Sequence, residues 1–291
     1  MLPAHRTPLW NWIFSINVNK WSDTVKISTI GCVGCGNMGG AILAGLADSL
    51  RDGYAFCGCN RTAERMRPLL EKGVTARAEA SAVAEDSQVV ILAVKPYAAA
   101  AVLAKMRPKL GADKVLVSVA AGVSLKSLRQ AAGDQCMVVR CMPNTPALVG
   151  KGVFAFSFEE GVSPQSKTEL MELFGALGLC LELPEARFTA FSALIGAGPA
   201  YVFEMMQGLV QAGVTLGFQH KEARRMVAAL FAGSARMAEL NPAPLMQLRD
   251  EVCSPGGLTI AGVNQLDRAG LPGLLVDAVL AADARGREME S

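Results

Sequence analysis

Val25-Lys-Ile-Ser-Thr-Ile-Gly-Cys-Val33, followed at once by Gly34-Cys35-Gly36-Asn37-Met38-Gly39 and then by Ala41-Ile-Leu-Ala-Gly-Leu-Ala47, decides the fold. An apolar, β-branched run that ends on G-x-G-x-x-G and opens a helix-like segment is the strand, loop and helix of a dinucleotide site. The three glycines permit a tight turn, a close approach of backbone to pyrophosphate, and close packing of helix on strand. The helix N-terminus directs its unpaired N–H groups at the phosphates. Val33, Gly34, Cys35, Gly36, Asn37, Met38 and Gly39 are therefore expected to hold a cofactor. The next strand, Tyr54-Ala-Phe-Cys-Gly-Cys59, ends at Asn60-Arg61, about twenty residues on, where such a unit meets the adenine ribose. An Asp or Glu there would accept from the 2′-hydroxyl of NAD and repel a 2′-phosphate. Asn60 is neutral and Arg61 brings a planar cation suited to phosphate, so NADP(H) is the expected cofactor, with NADPH preferred over NADH.

The pattern repeats downstream. Gln88-Val-Val-Ile-Leu-Ala-Val94 ends at Lys95-Pro96, Val115-Leu-Val-Ser-Val119 at Ala120-Ala121-Gly122, and Met137-Val-Val-Arg140 at Pro143-Asn-Thr-Pro146. Short apolar runs separated by helix-length segments are parallel strands buried on both faces. The fold class is thus α/β, a Rossmann-type doubly wound parallel sheet, with the order 3-2-1-4-5-6 expected. Ligands bind beyond the carboxyl ends of such strands, where Ala93, Val94, Lys95, Pro96, Ala120, Ala121 and Asn144 all fall. Val153–Phe158 and Leu179–Leu183 are expected to extend the sheet. From Pro184 onward strands vanish and helices are expected over 185–195, 199–216, 221–240, 245–252, 255–269 and 272–287. The expected domains are an extra tail (1–24), a dinucleotide-binding domain (25–184) and an all-α domain (185–291).

In the 199–216 segment, apolar residues from Tyr201 through Met206 and Val210 to Leu216 surround the whole circumference, which predicts a helix buried on all sides. A domain of this size hides few such helices, so the surplus apolar surface predicts a second copy of the chain. A charge at Met206 is then expected to give aggregated or unfolded protein, not a monomer. The alternative is a central helix in one monomeric bundle.

Composition narrows the class. The 291 residues are 51% hydrophobic and 19% charged, with a formal charge of +2 and no basic block, which gives no footprint for nucleic acid. No apolar run is long enough to span a bilayer. Cys32-Val-Gly-Cys35 and Cys57-Gly-Cys59, among eight cysteines, superficially resemble metal or redox pairs. Their place in a strand and a phosphate loop, without a nearby histidine, argues against a metal, and the usage predicts a reduced, cytoplasmic protein. The tail holds Trp10 and Trp12 but no signal-peptide core, and disorder is expected there.

The chain has only two histidines, His5 in the tail and His220 at a helix start. Hydride reduction of a ketone makes an alkoxide that needs a proton, whereas reduction of a protonated imine makes a neutral amine that does not. The lack of an evident histidine acid therefore favours C=N chemistry. Cys253-Ser254-Pro255-Gly256-Gly257-Leu258-Thr259 suits a small carboxylate: Ser254 is expected to cap a helix, Pro255 to occupy its first turn, and the two glycines to clear side chains from the exposed N–H groups. Thr259 could then bond a ring nitrogen beside that carboxylate.

Gly34–Gly39, Ala93-Val-Lys-Pro96, Ala120-Ala-Gly122, Arg140-Cys-Met-Pro-Asn-Thr-Pro146, Gly196-Ala-Gly-Pro-Ala-Tyr201 and Cys253–Thr259, in that order, resemble pyrroline-5-carboxylate reductase from about Lys26 to the C-terminus. The resemblance implies reduction of 1-pyrroline-5-carboxylate to L-proline with NAD(P)H, the last step of proline biosynthesis, and a helical dimerisation domain, hence a homodimer or an oligomer of dimers. It implies that Thr259 is catalytic, donating to the substrate nitrogen. It also implies that Ser254, Gly257, Leu258 and Thr259 bind substrate, and that the Ala93–Pro96 and Ala120–Ala121 loops border the nicotinamide. Glu239, which takes an acidic role in some relatives, precedes a segment longer than usual. A β-hydroxyacid dehydrogenase shares the first-domain pattern, but the lysine that family carries is missing from Gly196–Met205. A cofactor-binding sensor without turnover is the remaining alternative, against which the intact Ser254–Thr259 segment speaks.

Overall fold

The computed structural model describes residues 27–290, so the expected tail and His5 lie outside the described residues. The chain divides after Glu185 into two compact units.

The first unit is an eight-stranded sheet: β1 (Thr29–Val33), β2 (Ala55–Cys59), β3 (Thr75–Ala76), β4 (Val89–Leu92), β5 (Val115–Ser118), β6 (Met137–Met142), β7 (Gly152–Phe158) and β8 (Gly178–Glu182). Its order is β3-β2-β1-β4-β5-β6-β7-β8, so the first six strands stand in the order expected and the last two extend the sheet. The helices are α1 (Asn37–Ser49), α2 (Arg67–Leu70), α3 (Ala80–Asp86), α4 (Pro96–Met106), α5 (Leu125–Ala132) and α6 (Pro164–Gly175). Strands β1 to β6 are mutually parallel, whereas β7 runs antiparallel to β6. The β6–β7 connection contains only a 3₁₀ turn (Thr145–Val149), too short for a crossover, so the chain must reverse. Helix α6 then provides a crossover, and β8 returns parallel to β7.

Alternate strand residues feed two cores. On one face Ile30, Val89, Ile91, Val117, Phe154 and Phe156 pack under Ile42, Leu43 and Leu46 of α1 and Phe174 of α6. On the other, Val90, Leu92, Leu116 and Val138 meet Val83 of α3, Leu103 and Met106 of α4 and Leu128 of α5. Full burial of each such side chain contributes roughly 1.5–3 kcal/mol, which is why a sheet covered on both sides needs continuous apolar strands. Between β2 and β3 a 3₁₀ turn (Ala63–Met66) runs into α2, and Gly73 at φ +84° turns the chain toward β3.

The second unit comprises α7 (Phe188–Phe191), α8 (Gly198–Thr215), α9 (His220–Leu240), α10 (Leu245–Glu251), α11 (Leu258–Arg268) and α12 (Leu271–Glu290). The expected continuous helix over 185–195 is instead a 3₁₀ turn, α7 and a π-turn (Ser192–Gly196) that Ala197 N–H closes onto Ser192 O at 2.9 Å. Helix α8 packs on α9 through Val210, Ala223 and Val227, with Met206 and Phe231 beside them. Gly213 allows the approach, since a Cβ there would stand 3.0 Å from the Ala223 Cβ.

Burial of α8 on all sides is not found among the described residues. Among its described residues only Val210 is buried, while Phe203 is 65% exposed and Val202, Leu209 and Val214 also face outward. Among the described residues one neighbouring helix covers one stripe and leaves much of the apolar circumference exposed, which speaks for a partner and against the monomeric bundle. Met206 belongs to the covered stripe, so a charge there would disturb the α8–α9 contact itself. No helix of the described residues is long and apolar enough to cross a membrane.

Candidate functional site

At the carboxyl ends of β1, β2, β4 and β5 the first unit opens into a cleft of about 910 Å³. Val33, Gly34, Gly36, Asn37, Met38, Asn60, Arg61, Ala93, Val94, Lys95, Pro96, Ala120 and Ala121, all expected from the sequence, line it. The remaining two, Cys35 and Gly39, stand behind the loop. The Cys35 side chain is buried in the core under the sheet, and its N–H bonds Cys59 O at 3.3 Å.

The three glycines do separate work. Gly34 has φ +94°, and a Cβ there would meet Ala93 O at 2.7 Å, so the turn itself excludes a side chain. A Cβ on Gly39 would meet Gly34 O at 2.4 Å and the Ala93 Cβ at 2.6 Å, which fixes how closely α1 sits on the sheet. Gly36 is different: a Cβ there would meet nothing within 4 Å, so its bareness serves the cleft and not the packing. It is the N-cap of α1 without a side-chain cap, which leaves the first-turn N–H groups free for an anion.

Four cations (Arg61, Arg65, Lys95, Lys105) and one carboxylate (Glu79) line the cleft, a balance suited to a polyphosphate ligand. Asn60 shapes its own loop, its amide donating to Thr62 O at 3.0 Å. Arg65, which sequence reasoning does not single out, sits in the 3₁₀ turn (Ala63–Met66) that follows Arg61. Its Nη1 donates to Asn37 Oδ1 at 2.6 Å. Lys95 caps α4, with Pro96 in the first turn. Asn144 is instead buried, its Oδ1 accepting from Val153 N–H at 2.9 Å, so it stitches β7 to the loop after β6.

The cysteine pairs are part of the core. Burial and the neighbouring Cys35 push the Cys59 thiol up to about 11. A hydrogen bond with Cys35 and burial raise Cys32 well above the ordinary thiol range, and the same bond lowers Cys35. Among the described residues no group of three or more His, Cys, Asp or Glu is placed to hold a metal ion.

Ser254, Gly257, Leu258 and Thr259 belong to the second unit. The helix expected over 255–269 begins only at Leu258, and its N-cap is Gly257, not Ser254. The reason is local: Gly256 adopts φ +67°, and Gly257 N–H turns back onto Ser254 O at 3.0 Å, making a turn ahead of the helix. A Cβ on Gly257 would lie 2.3 Å from Ser254 Oγ, so the serine hydroxyl occupies the space a side chain would need. With Gly257 N–H engaged, the donors left for an anion are those of the first turn, Leu258 and Thr259. Leu258 is 95% exposed and Thr259 is exposed beside it. Glu239 ion-pairs with Arg236 at 2.7 Å on the open face of α9, and His220 is the first residue of α9 and exposed.

Residues 185–289 match the family model described as pyrroline-5-carboxylate reductase dimerisation, and residues 29–122 that described as NADP oxidoreductase coenzyme F420-dependent. A pyrroline-5-carboxylate reductase of Pisum sativum is 35% identical over 262 residues, covering 90% of this chain and 96% of its own. The solved structure of a pyrroline-5-carboxylate reductase from Coxiella burnetii is 30% identical with a TM-score of 0.85, covering 91% of this chain and 100% of its own. That of Plasmodium falciparum pyrroline carboxylate reductase with NADP bound is 28% identical with a TM-score of 0.78, over 91% and 99%. With both units matched in order, and near-complete coverage on each side, the chain belongs to the pyrroline-5-carboxylate reductase family.

Proposed function

We propose that the protein reduces the C=N bond of 1-pyrroline-5-carboxylate to L-proline, with NADPH as the preferred cofactor and NADH as the weaker one. The observation that carries this reading is the presence, in one chain, of a bare glycine loop in a cationic cleft and of a second helix N-terminus, at Leu258, preceded by Gly256 and Gly257. Bound in the cleft, NADPH supplies the hydride. The α1 N-terminus and Gly36 receive the pyrophosphate, Arg61 the 2′-phosphate, and the Ala93–Pro96 and Ala120–Ala121 loops the nicotinamide half. The Leu258 and Thr259 amides hold the substrate carboxylate, with Ser254 and Gly257 shaping the turn below it. The Thr259 hydroxyl bonds the ring nitrogen and stabilises its lone pair as the iminium becomes an amine. Because the imine enters protonated, no side chain has to deliver a proton in the hydride step.

Uncovered apolar helices and the dimerisation family support a homodimer, and we extend this to an oligomer of dimers, to be read by sedimentation. Eight free cysteines support action in the reducing cytoplasm. The central test mixes purified protein, NADPH and pyrroline-5-carboxylate and follows the absorbance of the reduced cofactor. Substrate-dependent loss of absorbance with formation of proline is expected; NADPH binding without consumption would refute the reaction.

A further inference from the structure

The segment that leads from β5 to α5 is tied down at both ends by side chains to which the proposed reaction gives no role. At its near end Ser118, the buried last residue of β5, accepts Ala120 N–H on its Oγ at 3.3 Å. At its far end Leu125, the first residue of α5, donates its N–H to Glu185 Oε1 at 2.8 Å. The same carboxylate oxygen accepts Arg140 Nη1, also at 2.8 Å. Arg140 stands beside Ser118 in the parallel ladder of β5 and β6, and its side chain is only 6% exposed. A buried guanidinium needs an anion, and a helix start favours one; Glu185 meets both demands with one carboxylate. An ion pair alone would serve Arg140. Because its acceptor oxygen also takes the N–H at the end of this segment, the pair is linked to the cleft, whose wall Ala120 and Ala121 form. Between the two anchors Gly122, at φ +74°, turns the chain.

We infer that Glu185 is a positioning residue for the hydride step: held by Arg140, it fixes the far end of the 119–124 segment, as Ser118 fixes the near end, so that Ala120 and Ala121 keep the nicotinamide ring in place. The inference rests on the reading above that this loop borders the nicotinamide half of the cofactor. Hydride transfer depends steeply on the distance and alignment of the reacting atoms, so a loosened wall lowers turnover without touching the adenosine end.

The test measures kcat of the full-length protein with NADPH and pyrroline-5-carboxylate, and titrates it with NADPH and with 2′-phospho-ADP-ribose, a probe that lacks the nicotinamide. Glu185→Ala should lower kcat by about tenfold or more and weaken NADPH toward the affinity of 2′-phospho-ADP-ribose, which itself stays within about twofold. Glu185→Gln keeps an oxygen for both donors and should hold kcat within about threefold of the parental value. Ser118→Ala adds no volume and frees only Ala120 N–H; it should lower kcat by roughly three- to tenfold, and it decides the matter if Glu185→Ala does not fold. Unchanged kcat in the alanine variants, or equal weakening of both ligands, would make these anchors merely structural and overturn the inference while the reaction stands. Wild-type protein that binds NADPH without consuming it would overturn the reaction, and the two-ligand comparison would still judge the anchors.

Discussion

Gly36→Ala separates the cofactor role of the glycine loop from its structural role. A Cβ at this position meets nothing within 4 Å, and its backbone, φ −83° and ψ −154°, suits any residue. Alanine gains about 0.4–1 kcal/mol from the stiffer unfolded chain, and is a poorer N-cap than glycine by a similar amount. The two effects offset, so the melting temperature should move by no more than about 3 °C. The pyrophosphate loses instead: the methyl group stands where it must approach, and losing one charge-assisted N–H contact costs roughly 1.5–3 kcal/mol, or about ten- to a hundred-and-fifty-fold in affinity. Gly39→Ala is the counterpart. Its Cβ would press on Gly34 O at 2.4 Å and Ala93 at 2.6 Å, so overpacking should cost about 1–3 kcal/mol and lower the melting temperature by roughly 3–10 °C. Thermal melting and NADPH fluorescence titration of both variants make the comparison. A Gly36→Ala protein that binds NADPH normally would refute the claim that backbone and phosphate meet at this glycine.

Arg61→Ala should weaken NADPH far more than NADH, by roughly 1.5–3 kcal/mol for a charge-assisted contact to the 2′-phosphate, and equal losses for both cofactors in binding titrations would remove it from that role. Thr259→Val keeps the shape without the hydroxyl and should lower kcat/KM by about ten- to a hundredfold with NADPH affinity intact; unchanged turnover would leave Thr259 a packing residue only. Phe203→Glu is a cleaner probe of assembly than a charge at Met206, because Phe203 is 65% exposed within its own chain. It should yield monomeric or aggregated protein in sedimentation, and a variant that keeps the parental assembly would exclude α8 from the interface.

The dinucleotide cleft was legible because its determinants are local. A strand of continuous apolar residues, a glycine turn and a helix start are consecutive in sequence, and each parallel strand delivers its next loop to the same edge, so the residues of five loops could be assigned to one end of the sheet. The same locality exposes the sheet order and the change to an all-helical second half. It does not reveal which neighbour takes a side chain. Asn144 ends a strand as a ligand residue would, yet bonds Val153 and lies buried. Cys35 sits in the motif but faces the core, and Arg65 reaches the site only because the turn after β2 folds it back onto Asn37.

Helix termini illustrate the division again. Ser254 and Pro255 are good starting residues by propensity, but Gly256 takes a left-handed conformation and the first turn begins after Gly257, because the N–H of Gly257 closes on Ser254 first. In α8 the hydrophobic circumference announced a buried helix, and the amount of apolar surface was read correctly; what covers it within the chain depends on where α9 lies, which covers only the Val210 stripe. Periodicity and turn chemistry are properties of neighbouring residues, so the sequence by itself determined the elements, their order and the cofactor-loop motif. Which stripes are covered, which hydroxyl fills a glycine's place and which arginine crosses a cleft depend on contacts between segments far apart in the chain, and the tertiary structure alone decided them.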